Sequence, residues 1–417
     1  RGKAEMGSLP DRAAGKRIYA DNEPRKPRAD ADKKALCAER VRRGAAWLAS
    51  NGIACAILED TEGRRNSSVR YYTGMNQDAI LFLFADGGTT LVAWDEIMAS
   101  RIAVAGSIIP YTEFGRDFPL AVREVLKRAG IAGGTGPERS GPAGSMRIEI
   151  GSAAPHTQYE ELGAALSGIE ILCRRNGFEA ETVRMRQVKD PLEMSSLEKA
   201  CSITDAIADG LLERIKAGEF GTELDAAMFI ESEARRRGAE GTGFETLAAG
   251  PGRSFGIHAF PTFSNASIRE PGMSIFDFGV RVDGYSSDIT MTVVRGTPSK
   301  LQGGMIELVE GAYDLAVSML APGVDGRAVS RAVDRFFSRR DFAMPHSLGH
   351  GIGLDVHEAP FFRSAAVDPV ILEEGMVFTV EPGLYHPEAG GVRWENDFVI
   401  RNGKAEPLTR SRIHRIP

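Results

Sequence analysis

Two aspartates on either side of one turn dipeptide restrict this chain more than any other feature. Residues 274–280 and 285–293 both read as strands, and the turn dipeptide Asp283-Gly284 lies between them. In an antiparallel hairpin, facing residues share a constant index sum. A Val282-Asp283 loop sets Asp277 opposite Asp288, whereas an Asp283-Gly284 loop sets Asp277 opposite Thr290 with Asp288 as the diagonal neighbour. In either register both carboxylates leave the same face, about 5–8 Å apart. Like charges that close repel, and stability alone gives no reason to keep them; a cation between them does.

A second pair repeats the theme. Glu381-Pro382-Gly383 ends the apolar run 376–380, and Glu395 lies where 392–395 opens a strand that ends at Ile400. Their separation of 14 is even, as facing positions in a hairpin with a longer loop require. The third element is His346-Ser347-Leu348-Gly349-His350-Gly351-Ile352-Gly353-Leu354-Asp355-Val356-His357-Glu358. Its glycines argue against a helix, and so against an HExxH zinc site, and for a backbone that passes close to something. A lone histidine is ordinarily a satisfied polar side chain, but here three fall within twelve residues and five of the chain's seven lie in 258–386. Four carboxylates and one imidazole form a donor set too hard and anionic for structural zinc. They suit two divalent cations with bridging carboxylates and a hydroxide that nearly balance the charge.

The rest of the chain sets the context. With 417 residues, two domains are expected. A net charge of −6 provides no basic face for nucleic acid, and no apolar run is long enough to span a membrane. Cys37, Cys55, Cys173 and Cys201 lack CxxC spacing and no signal-peptide pattern is read at the N-terminus, so a reducing, cytoplasmic setting is expected. Residues 1–35 hold ten Lys/Arg against six Asp/Glu and are read as a charged, solvated extension. Residues 36–180 alternate helix-like and strand-like stretches: a helix from Glu39 to Ser50, and strands at 53–58, 79–84, 90–94, 108–114, 146–150 and 169–173. They form an α/β domain without a phosphate loop. Near residue 180 the character changes, and Asp190-Pro191 starts a long helix, so 181–417 is read as the catalytic domain.

In their order Asp277, Asp288, His350, Glu381 and Glu395 resemble the five-ligand set of the M24 "pita-bread" metallopeptidases, a family that includes methionine aminopeptidase, aminopeptidase P, prolidase and the metal-free creatinases. Residues 346–358 are similar to the proline-peptidase signature, and Glu381-Pro382-Gly383 and Gly391-Val392-Arg393-Trp394-Glu395 to the two glutamate motifs. The resemblance implies a two-domain α+β/α/β fold, a creatinase-like N-terminal domain before a pita-bread domain. It implies an exopeptidase that hydrolyses Xaa-Pro bonds in short peptides, of aminopeptidase P or dipeptidase type, with two divalent ions; Mn is the usual choice, and Co, Zn or Fe also fit. By the same resemblance Asp277 and Glu381 each help hold one metal, Asp288 and Glu395 bridge both, and His350 is the imidazole ligand. His258 and His357 assist catalysis at the scissile nitrogen and carbonyl, Glu381 relays a proton, and His346 and Arg393 bind substrate. A homodimer is implied, with each N-terminal domain near the partner's pocket, and truncation to residue 181 onward should leave a metal-binding monomer. The alternatives are a dimethylsulfoniopropionate lyase, which carries a further Asp where this chain has Gly279, and a creatinase-like C–N hydrolase.

Overall fold

The computed structural model describes residues 27–131 and 146–417, so most of the expected N-terminal extension lies outside the described residues. Its last stretch is helical. Helix α1 (Pro27–Ser50) starts well ahead of both Glu39 and the expected domain edge at residue 36. Pro27 suits a first helical position, and the Ala- and Lys-rich run behind it has high helix propensity. Residues 31–36 of α1 are exposed or only partly buried, which is why a search for large apolar residues passes over them.

The N-terminal domain continues with β1 (Cys55–Asp60), α2 (Ser67–Thr73), β2 (Ala79–Phe84), β3 (Thr89–Ala93), α3 (Glu96–Ile102), β4 (Ser107–Pro110), α4 (Phe118–Arg128), β5 (Met146–Ile150), α5 (His156–Ala165), β6 (Ile169–Cys173) and α6 (Phe178–Gln187). The strand expected over 108–114 stops at Pro110, which has no N–H to extend a ladder, and a 3₁₀ turn follows over Tyr111–Phe114. The six strands form one mixed sheet in the order β4-β3-β2-β1-β5-β6. The sequence of β2, Ala-Ile-Leu-Phe-Leu-Phe, is apolar throughout because both faces are covered. Ala79, Leu81 and Leu83 join the core beneath α1 and α2, and Ile80, Phe82 and Phe84 the one beneath α4 and α5. Residue 180 falls inside α6, whose Phe178 stacks on Tyr72 with ring centroids 5.9 Å apart.

The second half twice runs two helices into a hairpin. First come α7 (Pro191–Lys216), capped by Asp190, and α8 (Glu223–Arg236), then β7 (Gly241–Thr242), β8 (Leu247–Ala249), β9 (Gly272–Phe278), β10 (Val280–Val282), β11 (Tyr285–Ser286) and β12 (Ile289–Arg295). After these come α9 (Lys300–Met319), α10 (Gly326–Ser338), β13 (Gly349–Gly351), β14 (Glu358–Phe362), β15 (Val377–Val380), β16 (Gly383–His386), β17 (Gly390–Arg393), β18 (Asn396–Arg401), β19 (Lys404–Pro407) and β20 (Ile413–Ile416). Asp283 (φ 48°) and Gly284 (φ 88°) make the first hairpin's loop, a conformation that needs φ > 0 at both residues. Of the two open registers, the chain therefore adopts the one with Asp277 opposite Thr290. In the second hairpin Val380 faces Asn396 and Gly383 faces Arg393, so Glu381 and Glu395 stand at facing positions where one paired stretch gives way to the next. The hairpins meet where the Glu395 amide donates to the Thr290 carbonyl at 3.2 Å.

Ile352 and Leu354, from the glycine-rich histidine segment, sit in the same contiguous core as Leu48, Tyr71, Tyr72 and Phe178 of the N-terminal domain. Among the described residues no helix is long and apolar enough to cross a membrane. Part of the packing of the second half therefore comes from residues before 181. A large core side chain that loses its packing costs about 2–5 kcal/mol, against a whole-domain stability of about 5–15 kcal/mol. A chain begun at residue 181 should therefore lose its cooperative thermal transition, read by circular dichroism. A sharp transition within a few degrees of the full chain's would count against a shared core.

Candidate metal centre

The hairpin ends bring the acids together. One donor atom each from Asp288, His350 and Glu395 lie within 4.8 Å of one another, and all three residues are buried. The His350 Nε2 also lies 3.6 Å from Glu381 Oε1 and 3.7 Å from Asp288 Oδ2. Asp277, at the end of β9, accepts from Arg393 Nη2 at 2.5 Å. Its charge contributes to raising the pKa values of both Asp288 and Glu395.

The electrostatics are those of a site built for cations. Burial, then the neighbouring Glu395 carboxylate, pushes Asp288 and Glu381 well above the ordinary carboxylate range. Burial and Asp277 push Glu395 up to about 7. Buried Asp277 Oδ1 and Asp288 Oδ1 have no hydrogen-bond partner, whereas most buried polar atoms do. His350 is also prepared. Its Nδ1 lies 3.1 Å from the Gly351 carbonyl and so carries the proton, leaving the Nε2 lone pair to face the carboxylates. Burial, reinforced by His357, lowers its pKa to about 4, so the ring is neutral at pH 7. Unpartnered carboxylate oxygens around a neutral imidazole fit divalent cations.

The remaining candidates lie around the cluster. His357 is exposed, with its ring centroid 4.3 Å from that of His350, and burial of part of the ring lowers its pKa. His258 is exposed on the loop after β8, close enough that its charge bears on both His346 and His357. His346 is committed on both nitrogens, Nδ1 to the Ser347 carbonyl at 2.9 Å and Nε2 to the Tyr385 hydroxyl at 3.0 Å. Arg393 is buried and gives its donors to Asp277, to Thr290 Oγ1 (2.8 Å), to the Ile257 carbonyl (3.2 Å) and to the Tyr385 hydroxyl (2.7 Å). That geometry has Arg393 orienting Asp277 within the protein.

Four supporting residues are not among the candidates read from the sequence. Thr290 donates to Glu395 Oε2 at 2.7 Å, and Thr379 also hydrogen-bonds Glu395. Tyr385 joins His346 to Arg393, and Asp397 Oδ2 accepts from the Asp288 amide at 2.9 Å. Two of them follow from strand periodicity: position 290 shares a face with 288, and 397 with 395.

Two facing hairpins that bracket a carboxylate–imidazole cluster, behind an N-terminal α/β domain, make this a pita-bread fold. The profile of metallopeptidase family M24 matches residues 195–402. The uncharacterized peptidase YqhT of Bacillus subtilis is 30% identical over 351 residues, 83% of this chain and 92% of its own length. The chain belongs to metallopeptidase family M24. The Xaa-Pro dipeptidase of Pyrococcus furiosus is 35% identical over 230 residues, 54% of this chain and 64% of that relative's length. Among solved structures, the X-Pro aminopeptidase of Thermotoga maritima superposes with a TM-score of 0.76 at 25% identity, covering 91% of this chain and 99% of that one.

A pH-dependent response to cations follows. The folded chain holds a proton on Glu395 up to about pH 7, where an unfolded glutamate has lost it, so this contribution to stability declines as pH rises through that value. A bound cation removes the penalty, and at low pH it must compete with protons. Millimolar Mn²⁺ should raise the melting temperature more at pH 7.5 than at pH 5, relative to chelator. Equal shifts, or none at pH 7.5, would contradict a cation site here.

Proposed function

We propose that this chain is a metal-dependent exopeptidase that hydrolyses Xaa-Pro bonds in short peptides, of dipeptidase or aminopeptidase P type. The observation that carries the reading is the buried cluster of Asp288, His350 and Glu395 with unpartnered carboxylate oxygens beside it. The names borne by the Pyrococcus and Thermotoga relatives support the substrate class.

In this reading Asp277, Asp288, His350, Glu381 and Glu395 hold two divalent cations, with Mn favoured by four carboxylates to one imidazole. Such ions, when bound, supply a water of lowered pKa and an electrophile for the carbonyl. The chain's own groups do the rest. Neutral His357 donates an N–H to the substrate carbonyl oxygen and to the oxyanion that develops there. Glu381 relays the proton given up by the attacking water to the departing nitrogen. A proline nitrogen in a peptide bond carries no hydrogen, so a site that acts through the carbonyl and protonates the amine suits it. Arg393, through Tyr385 and Asp277, keeps this wall rigid, and His258 and His346 flank the entrance.

The lyase alternative requires an aspartate at position 279. A Cβ there would run into the Ser287 carbonyl across the hairpin, which supports the hydrolase reading. A homodimer in which a second copy covers the entrance remains part of the proposal; it is supported by Phe260, two residues from His258 and 94% exposed.

The test is turnover of Xaa-Pro dipeptides and Xaa-Pro-Yaa tripeptides after Mn²⁺ loading. Hydrolysis of the first alone marks a dipeptidase, of the second an aminopeptidase, and of neither defeats the reading. Asp288→Ala should abolish activity along with at least one metal, whereas His357→Ala should keep both metals and lose on the order of 10²-fold in kcat. Metal analysis of the two variants would expose a reversed assignment.

A further inference from the structure

The segment that carries His350 and His357 is fastened from behind by charges that the reaction does not use. Glu358 directly follows His357 and opens β14, where it pairs with Gly351, the residue after His350; the ladder slips by a bulge between those two. Its carboxylate points into the domain junction. There Oε1 lies 2.6 Å from Lys189 Nζ, and Oε2 meets Arg186 Nη2. The three side chains are 4%, 0% and 4% exposed for Glu358, Lys189 and Arg186. Arg186 reaches on to Asp355 Oδ2 at 2.8 Å, whose other oxygen accepts from Ser67 Oγ of α2 at 2.5 Å. Lys189 Nζ also donates to the Arg186 carbonyl at 2.7 Å. Arg186 ends α6, and Lys189 lies in the link to α7.

We propose that Glu358 is a positioning residue. Clamped by Arg186 and Lys189, it sets the register of the segment at Glu358 and so holds the adjoining His357 against the carboxylates. Three observations converge on this. A buried ion cluster is a poor stabiliser compared with apolar packing of the same volume, so direction is what the three buried charges of Arg186, Lys189 and Glu358 contribute at the domain junction. Gly353 is glycine because a Cβ there would press into Glu358 Oε1 and lie 3.1 Å from Lys189 Nζ; the backbone is shaped around the pair. The neighbouring Ile352 and Leu354 are buried in the core shared with the N-terminal domain, so charge and packing hold the segment from the same side.

The kinetic arm rests on the Xaa-Pro peptidase reading; the exchange arm does not. In the Mn²⁺-loaded full chain, Glu358→Gln keeps the side chain's size and leaves two buried cations short of an anion. Because a displacement of about 1 Å at a catalytic group costs about 10²-fold, kcat should fall 10–100-fold while KM stays within about twofold and metal stoichiometry is unchanged. Amide hydrogen exchange across 349–358 should speed at least about tenfold, with β2 unaffected. If Glu358→Gln does not fold, Gly353→Ala carries the same expectations, because it keeps all three charges and drives a methyl into the pair. A folded variant with wild-type kcat and unchanged exchange overturns the proposal. So does one in which kcat, KM and metal content fail together, the pattern of general unfolding. Should the wild-type chain cleave no Xaa-Pro substrate, the functional reading falls, and the exchange measurement still decides the clamp.

Discussion

Repulsion among buried carboxylates is the constraint around which the second half of this chain is organised. Asp277, Asp288, Glu381 and Glu395 arrive on two hairpins; Asp288, Glu381 and Glu395 sit at breaks in the pairing, and Asp277 is paired one residue before the end of β9. A charge placed mid-strand would face either core or solvent. At a break, the backbone turns the side chain out of the sheet and toward the other hairpin. The acids then share one small volume, where each raises the cost of ionising its neighbours. Only rigid surroundings keep such groups from swinging away. The Thr290–Glu395, Arg393–Asp277 and Asp397–Asp288 hydrogen bonds provide that rigidity.

Much of this was legible in the sequence, for identifiable reasons. The Asp283-Gly284 loop leaves little choice of register once both residues adopt φ > 0, and an even separation of 14 already sets Glu381 against Glu395. Position in a hairpin is a local property, so spacing reveals it. What spacing could not reveal was contact between distant segments. Arg186 and Lys189 stand about 170 residues before Glu358, and their pairing depends on how two domains dock. Tyr385 was hidden for a different reason: its hydroxyl matters only because Arg393 and His346 converge on it. The start of α1 is hard to read because residues 31–36 are exposed or only partly buried and so form no apolar stripe.

Among the described residues the N-terminal domain gives no acid or histidine to the cluster, yet it reaches the centre by two routes. Apolar side chains from the histidine segment are buried among Leu48, Tyr71 and Phe178, and Arg186 in the last turn of α6 and Lys189 just after it hold the glutamate beside His357. Hydrophobic burial tolerates small rotations, whereas two short hydrogen-bonded ion pairs do not. Together they fix both the depth and the angle at which the segment lies.

The pairing across the breaks bears on which length changes this family of hairpins can absorb. The tip between β16 and β17 lies beyond the last paired residues, and Pro387 and Glu388 are exposed there. Extra residues at that tip would leave every facing pair below it in place. One residue added within 278–282 would instead slide one arm of the first hairpin past the other and turn Asp277 and Asp288 to opposite faces. Lengthening of the chain is thus permitted at one loop and forbidden a few ångströms from the acids, so natural insertions among relatives should accumulate at the first place and be missing from the second.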